Sequence, residues 1–221
     1  MSIFDKLLEK PWLSNDVIAT EPNTETPAKT AMLFFLAVVT VIFFLFTITF
    51  LARSQSADFQ ALSGEPWLPL NQSGPLWFNS GLLLLASISL HMAYTFSLKK
   101  QLNRLVFALA IAVIFSSAFI IAQLYVWQHL ANAGYFIADN PANSFFYLLT
   151  AMHGVHLLGG ILALLSVIWH FYQNIELSVL HARLKLCAVY WHYLLLLWLF
   201  LFALLTSSAS TYRAIAVFCG F

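Results

Sequence analysis

The stretch TAMHGVHLLGG, residues 150–160, sets His153 and His156 three apart in a run that is otherwise apolar or small. Imidazole nitrogens ligate transition metals and haem iron; when neutral, the ring donates one hydrogen bond and accepts another. On one helix the two rings lie about 60° apart, a face from which they could bind a metal together with His91 or His192 from neighbouring helices. Two features weigh against it. Haem generally takes one histidine from each of two facing helices, which a single HxxH does not provide, and no Asp or Glu accompanies these histidines to orient a metal ligand. The pattern predicts instead that His91, His153, His156 and His192 tie helices together, with no metal and no cofactor held by this chain.

Other polar residues keep the same kind of spacing. Ser80, Ser87 and His91 recur at steps of seven and four, with Asn79 beside them. Ser116 and Gln123 lie seven apart, and Thr150, His153, His156 and Gly160 step by three, three and four. Each set falls on one face of a helix. A polar group in lipid is costly unless it finds a partner, so these faces are expected to meet. Gly159 and Gly160 would let backbones approach, while hydroxyls, amides and imidazoles bond across the contact for roughly 0.6–2 kcal/mol each. A further candidate stretch, YWHYLLLLWLFLF, sets His192 between two aromatic residues.

The elements that must carry these faces follow from composition. With 61% hydrophobic residues, 9% charged and 21 phenylalanines among 221 residues, the chain has too little polar surface to cover a soluble globule. Five uncharged runs, 31–52, 77–98, 105–127, 145–169 and 186–206, are each long enough as helix to cross a hydrocarbon core of about 30 Å. Lipid offers the backbone no hydrogen-bond partner, so such runs must be helical. The sequence therefore predicts an all-α integral membrane bundle of five helices, with a polar leader at 1–30 and a short external tail at 207–221.

The leader holds Pro11, Pro22 and Pro27 among acids and lysines and lacks the apolar core of a signal peptide; within it, IFDKLLEKPWL fits a helix lying on the membrane surface and a disordered tail equally. Lys6, Lys10 and Lys29 precede the first run, Lys99, Lys100 and Arg104 join the second to the third, and Arg183 and Lys185 lead into the fifth. The opposite connections hold Arg53, and the tail Arg213. This distribution predicts the N-terminus inside and the C-terminus outside. Cys187 and Cys219 sit at depths too different for a disulfide and are expected to be free thiols. A net charge of +1 argues against nucleic acid, and the chain carries no CxxC, HExxH, phosphate loop, GxGxxG or solenoid repeat.

The run SFFYLLTAMHGVHLLGGILAL resembles the corresponding helix of the five-helix form of subunit III of haem-copper terminal oxidases, whose pattern includes T-G-x-H-G-x-H and a following glycine. AVYWHYLLLLWLFLF is similar to that family's Y-W-H-F-x-D-x-x-W-x-x-L-F. GPLWFNSGLLLLASIS, AQLYVWQHL and KTAMLFFLA match further helix starts and the family's Q-x-x-E-Y region, so the resemblance spans residues 29 to 206. It implies an accessory subunit without a redox centre, in a complex of the cell's inner membrane that reduces O2 to water. Haem and copper then reside in partner subunits, catalytic subunit I is the main partner with subunit II beside it, and phospholipid binds between helices. Electrons reaching the complex from cytochrome c or from quinol are equally compatible.

The departures concern acids. Where the family has a buried glutamate in its first helix this chain has Val39, or Thr40 with the register moved by one; Val126, Lys185 and Leu195 stand at three further acidic positions of the family. Apolar replacements make a bundle easier to fold and unable to relay protons at those points. Two other classes share some features: an accessory subunit of a nitric oxide reductase, which has similar helices, and a redox subunit binding haem through His91, His153, His156 or His192. A transporter would show broken helices or internal two-fold similarity, and neither occurs.

Overall fold

The computed structural model describes residues 25–56, 58–59, 62, 74–173 and 176–218. Six helices lie among them: α1 Glu25–Arg53, α2 Gly74–Leu98, α3 Leu102–Asn132, α4 Pro141–Tyr172, α5 Leu177–Leu205 and α6 Ala209–Phe218. The first five run 25 to 32 residues and are long and apolar enough to cross a membrane. The described chain is all-α, a multi-pass membrane protein. Its candidate amphipathic segment IFDKLLEKPWL and Cys219 lie outside the described residues.

Two compact units divide within α1, after Leu36. The first is described only from Glu25, as the start of that helix. In the second, α2, α3, α4 and α5 pack as a closed ring in which each helix touches the next and α5 returns to α2. The ring's interior is apolar: Leu83, Leu90, Leu105, Leu149, Leu157 and Leu164 are fully excluded. Its exterior is apolar as well, with Phe107, Ile114, Ile121, Leu162 and Leu196 exposed. A surface of this kind suits hydrocarbon rather than water. From α1, residues beyond Leu36 reach the ring through side-chain contacts. Phe43 meets the His156 ring edge-on at 5.7 Å, and the Thr40 and Tyr193 hydroxyls lie 2.9 Å apart.

The helices outrun the uncharged runs that announce them. Helix α5 starts at Leu177, nine residues before the apolar run, so Arg183 and Lys185 lie in its opening turns rather than in a connection. There the His181 Nε2 atom lies 2.9 Å from the Ser97 carbonyl at the end of α2. Absence of charge marks only the hydrocarbon-deep part of a helix, because backbone bonding continues through the interface, where lysine and arginine extend toward water. Helix α4 begins where its cap dictates: the Asn140 side chain accepts from the Ala142 N–H, and Pro141 follows as the first helical residue.

Two helix ends share one device. Gly134, at φ +89°, closes α3 with the Gly134 N–H bonded to the Ala131 carbonyl and the Tyr135 N–H to the Leu130 carbonyl. At the end of α2 the same bonds run from Lys100 to Ser97 and from Gln101 to Phe96, with Lys100 itself at φ 56°. Glycine adopts that backbone freely and lysine does so at roughly 1 kcal/mol. The tail also holds a helix where only a tail is expected. In α6 Tyr212 is buried, its hydroxyl donating to the Leu204 carbonyl and its ring edge-on to Phe50. Burial pushes its phenol ionisation upward.

Candidate functional site

Apart from His91, which is exposed, the polar stripes face inward, and three of their hydroxyls are partnered by tryptophans. The Trp198 indole N–H donates to Ser80 Oγ at 2.9 Å, Trp191 to Ser116 Oγ at 3.1 Å and Trp127 to Thr150 Oγ1 at 3.1 Å. Each hydroxyl passes its own proton to a carbonyl one turn back: Ser80 to Leu76, Ser116 to Ala112 and Thr150 to Phe146. Every donor in these three chains is satisfied, and together they join α5 to α2, α5 to α3 and α3 to α4. A buried indole needs one acceptor, and a helical serine or threonine can supply it while bonding back to its own helix. Sequence spacing singles out the hydroxyls and misses the indoles, which count as apolar in a periodicity argument.

Asn79 and Gln123 meet across α2 and α3, Asn79 Nδ2 donating to Gln123 Oε1 at 2.8 Å. That bond leaves Asn79 Oδ1 and Gln123 Nε2 without partners among the described residues. Next to Asn79 an apolar groove of about 660 Å³ runs between the two helices, lined also by Phe78, Leu82, Tyr125 and Val126.

The histidines do not act alike. His192 Nδ1 lies 2.6 Å from Ser87 Oγ, and His192 Nε2 lies 3.4 Å from His91 Nδ1, a chain that joins α5 to α2. His156 Nδ1 lies 2.7 Å from the Met152 carbonyl of its own helix, and the His156 carbonyl accepts from Tyr190 OH of α5 at 2.9 Å. His153 differs from expectation. It is wholly buried, yet neither ring nitrogen has a hydrogen-bond partner among the described residues. Its ring lies between Phe119 and Trp198, with centroids at 5.8 and 5.3 Å. The interhelical bonds assigned by spacing to both members of HxxH therefore fail at His153, whose neighbours are aromatic, and the actual histidine link runs through His192 and His91.

Glycine spacing splits the same way. A β-carbon at Gly160 would sit 2.8 Å from Tyr190 Cε1 and 3.0 Å from the Trp191 ring, whereas one at Gly159 would meet nothing within 4 Å. Only Gly160 lies where α5 covers α4.

No three His, Cys, Asp or Glu side chains cluster as metal ligands among the described residues. The histidines do not fit a haem or copper centre: one pair converges on α2 and α5, while His153 and His156 are engaged separately with rings and backbone. Cys187 is a free thiol. Of the four positions where the resembled family carries acids, Lys185 is basic and the other three, Val39, Val126 and Leu195, are apolar, with Val39 and Val126 buried. Of the described acids, Glu25 opens α1, and Asp58, Asp139 and Glu176 lie between helices.

Comparison with known proteins finds similarity to subunits 3 of terminal oxidases. The cytochrome bo(3) ubiquinol oxidase subunit 3 of Buchnera aphidicola subsp. Baizongia pistaciae is 26% identical over 122 residues, covering 55% of this chain and 63% of that protein. The cytochrome c oxidase subunit 3 of Synechocystis is 34% identical over 87 residues, 39% of this chain and 36% of that protein. That of Spodoptera frugiperda is 29% identical over 124 residues, 56% of this chain and 82% of that protein. The matched segment thus spans less than two thirds of the first two relatives. A family profile covers far more of the chain, residues 20–208, taking in all five long helices, α1 to α5. The chain belongs to the cytochrome c oxidase subunit III family.

Proposed function

We propose that this chain is an accessory, non-redox subunit of a haem-copper terminal oxidase that reduces O2 to water. In this proposal it packs against catalytic subunit I, with subunit II in the same complex, and stabilises the assembly in the cell's inner membrane. The observation that carries the proposal is the family match across residues 20–208. Haem and copper belong to the partner subunits. The described helices hold no acid between their ends, so the subunit affects turnover through packing, through bound phospholipid or through solvent access to subunit I rather than by delivering protons. The groove beside Asn79 has the apolar lining and the volume to seat part of an acyl chain.

Purification of the tagged chain from native membranes in mild detergent tests the assignment. The expected preparation contains a haem-bearing subunit in equal amount and consumes oxygen. A chain recovered without haem-bearing partners, or with a complex that reduces nitric oxide and not O2, refutes it.

The proposed orientation places the N-terminus and the basic turn Lys99–Lys100 in the cytoplasm and the C-terminus outside, on the distribution of lysine and arginine. A reporter active only outside the cytoplasm is expected to work after Phe221 and fail after Gln101. The reverse result inverts the topology.

A further inference from the structure

The chain Ser87–His192–His91 ends on the outside of the bundle. Ser87 is buried, His192 half-buried and His91 exposed. His91 is seven residues from the end of α2 at Leu98, which at 1.5 Å per residue puts it about 10 Å along the axis from the basic turn. That is deeper than headgroup phosphates or interfacial water, and hydrocarbon bonds to no imidazole. Around it the exposed surface is apolar: Leu84, Ile88 and Met92 on α2, and on the His192 stripe of α5, Leu196 and Leu199.

Counting donors fixes the direction of the chain. Among the described residues the only hydrogen bond of the Ser87 hydroxyl is to His192 Nδ1. If Ser87 donates to Nδ1, then His192 Nε2–H donates to His91 Nδ1, and His91 carries its proton on Nε2. The reverse order has His192 Nδ1–H donating to Ser87 and strands a buried hydroxyl proton with no acceptor. The first arrangement uses every donor except one, the outward-facing N–H of His91. No described residue accepts from it.

We propose that the face of α2 around His91 is a docking surface for a transmembrane helix of another subunit, one that presents an oxygen acceptor to His91 Nε2–H at this depth. The inference rests on the proposed place of the chain in an oxidase complex and adds the surface and the chemistry of the contact. A lipid tail fits the flanking leucine and isoleucine equally well and leaves the imidazole unsatisfied, so the polar group is what selects a protein partner.

Two measurements on the intact complex test it. A photoreactive phenylalanine replacing Ile88 is expected to crosslink to another polypeptide, while the same residue at Ile114, on the exposed side of α3, crosslinks to lipid. Lipid alone at position 88 overturns the surface. Separately, His91→Leu is expected to lower retention of the chain in the detergent-solubilised complex about threefold to thirtyfold, the range of one interhelical hydrogen bond. His91→Gln, which keeps an N–H donor, retains it. Leucine retained as well as histidine overturns the contact, and glutamine as weak as leucine overturns the assigned donor. If the complex contains haem-bearing subunits and position 88 still finds only lipid, the surface fails and the oxidase assignment stands. A chain that purifies alone refutes both.

Discussion

Trp198→Ala and Trp191→Ala are each expected to destabilise the folded bundle by about 3–5 kcal/mol, the range for removing a large buried aromatic. Both indoles are almost wholly excluded from the surface. Trp198 packs edge-on against Phe119 at 4.8 Å and carries the bond to Ser80; Trp191 carries the bond to Ser116 and covers Gly160. Most of the loss comes from the cavity, since the surrounding leucines cannot close over a missing indole. The hydrogen bond is separable. Trp198→Phe and Ser80→Ala, alone and together, form a cycle whose coupling is expected near 0.6–2 kcal/mol, the value for a bond between membrane helices. The comparison is made by reversible unfolding in mixed micelles, following helix content. An alanine variant within 1 kcal/mol of the parent would show that α5 is held elsewhere, and zero coupling would remove Ser80 as the acceptor.

The same pair shows what the sequence makes legible. Polar residues at helical spacing in an apolar run are expected to face inward, and Asn79, Ser80, Ser87, Ser116, Gln123 and Thr150 are all buried, with His91 the exposed exception. Lipid makes that inference stronger than it is for soluble helices, because it accepts no exposed hydroxyl or amide cheaply. Spacing along one helix says nothing about which side chain waits on the next. Hence Trp127, Trp191 and Trp198 escape notice, although each has an N–H that must be placed somewhere. A rule that pairs every indole at membrane depth with a hydroxyl on another stripe would find them. The start of α5 escapes for a different reason: Arg183 and Lys185 interrupt hydropathy without interrupting the helix. The two glycines of HLLGG are indistinguishable by type, and only the face of α4 that meets Tyr190 and Trp191 of α5 decides that Gly160 is covered and Gly159 is not. Family resemblance adds what neither periodicity nor hydropathy contains, namely the family to which the bundle belongs.

His153→Leu is expected to hold or raise stability, by up to about 2 kcal/mol, which is the opposite of what an interhelical bridge would do. A neutral imidazole carries one donor and one acceptor, and the cost of burying each without a partner is about 1–3 kcal/mol. At His153 both are buried and unpartnered among the described residues, between Phe119 and Trp198. Leucine is close to histidine in volume but not planar, so part of the gain is offset by repacking; His153→Phe retains the planar aromatic contact in a slightly larger ring. The bonded histidine gives the contrast. His192→Leu strands the Ser87 hydroxyl and severs the link to His91, and is expected to cost about 1–2 kcal/mol. Unfolding midpoints of the three variants, measured under one set of conditions, order as His153→Phe at or above the parent and His192→Leu below it. Should His153→Leu and His153→Phe both fall by more than 1 kcal/mol, His153 must gain a partner in the assembled complex or in the membrane, and its place in the HxxH pattern would then be one of bonding rather than packing.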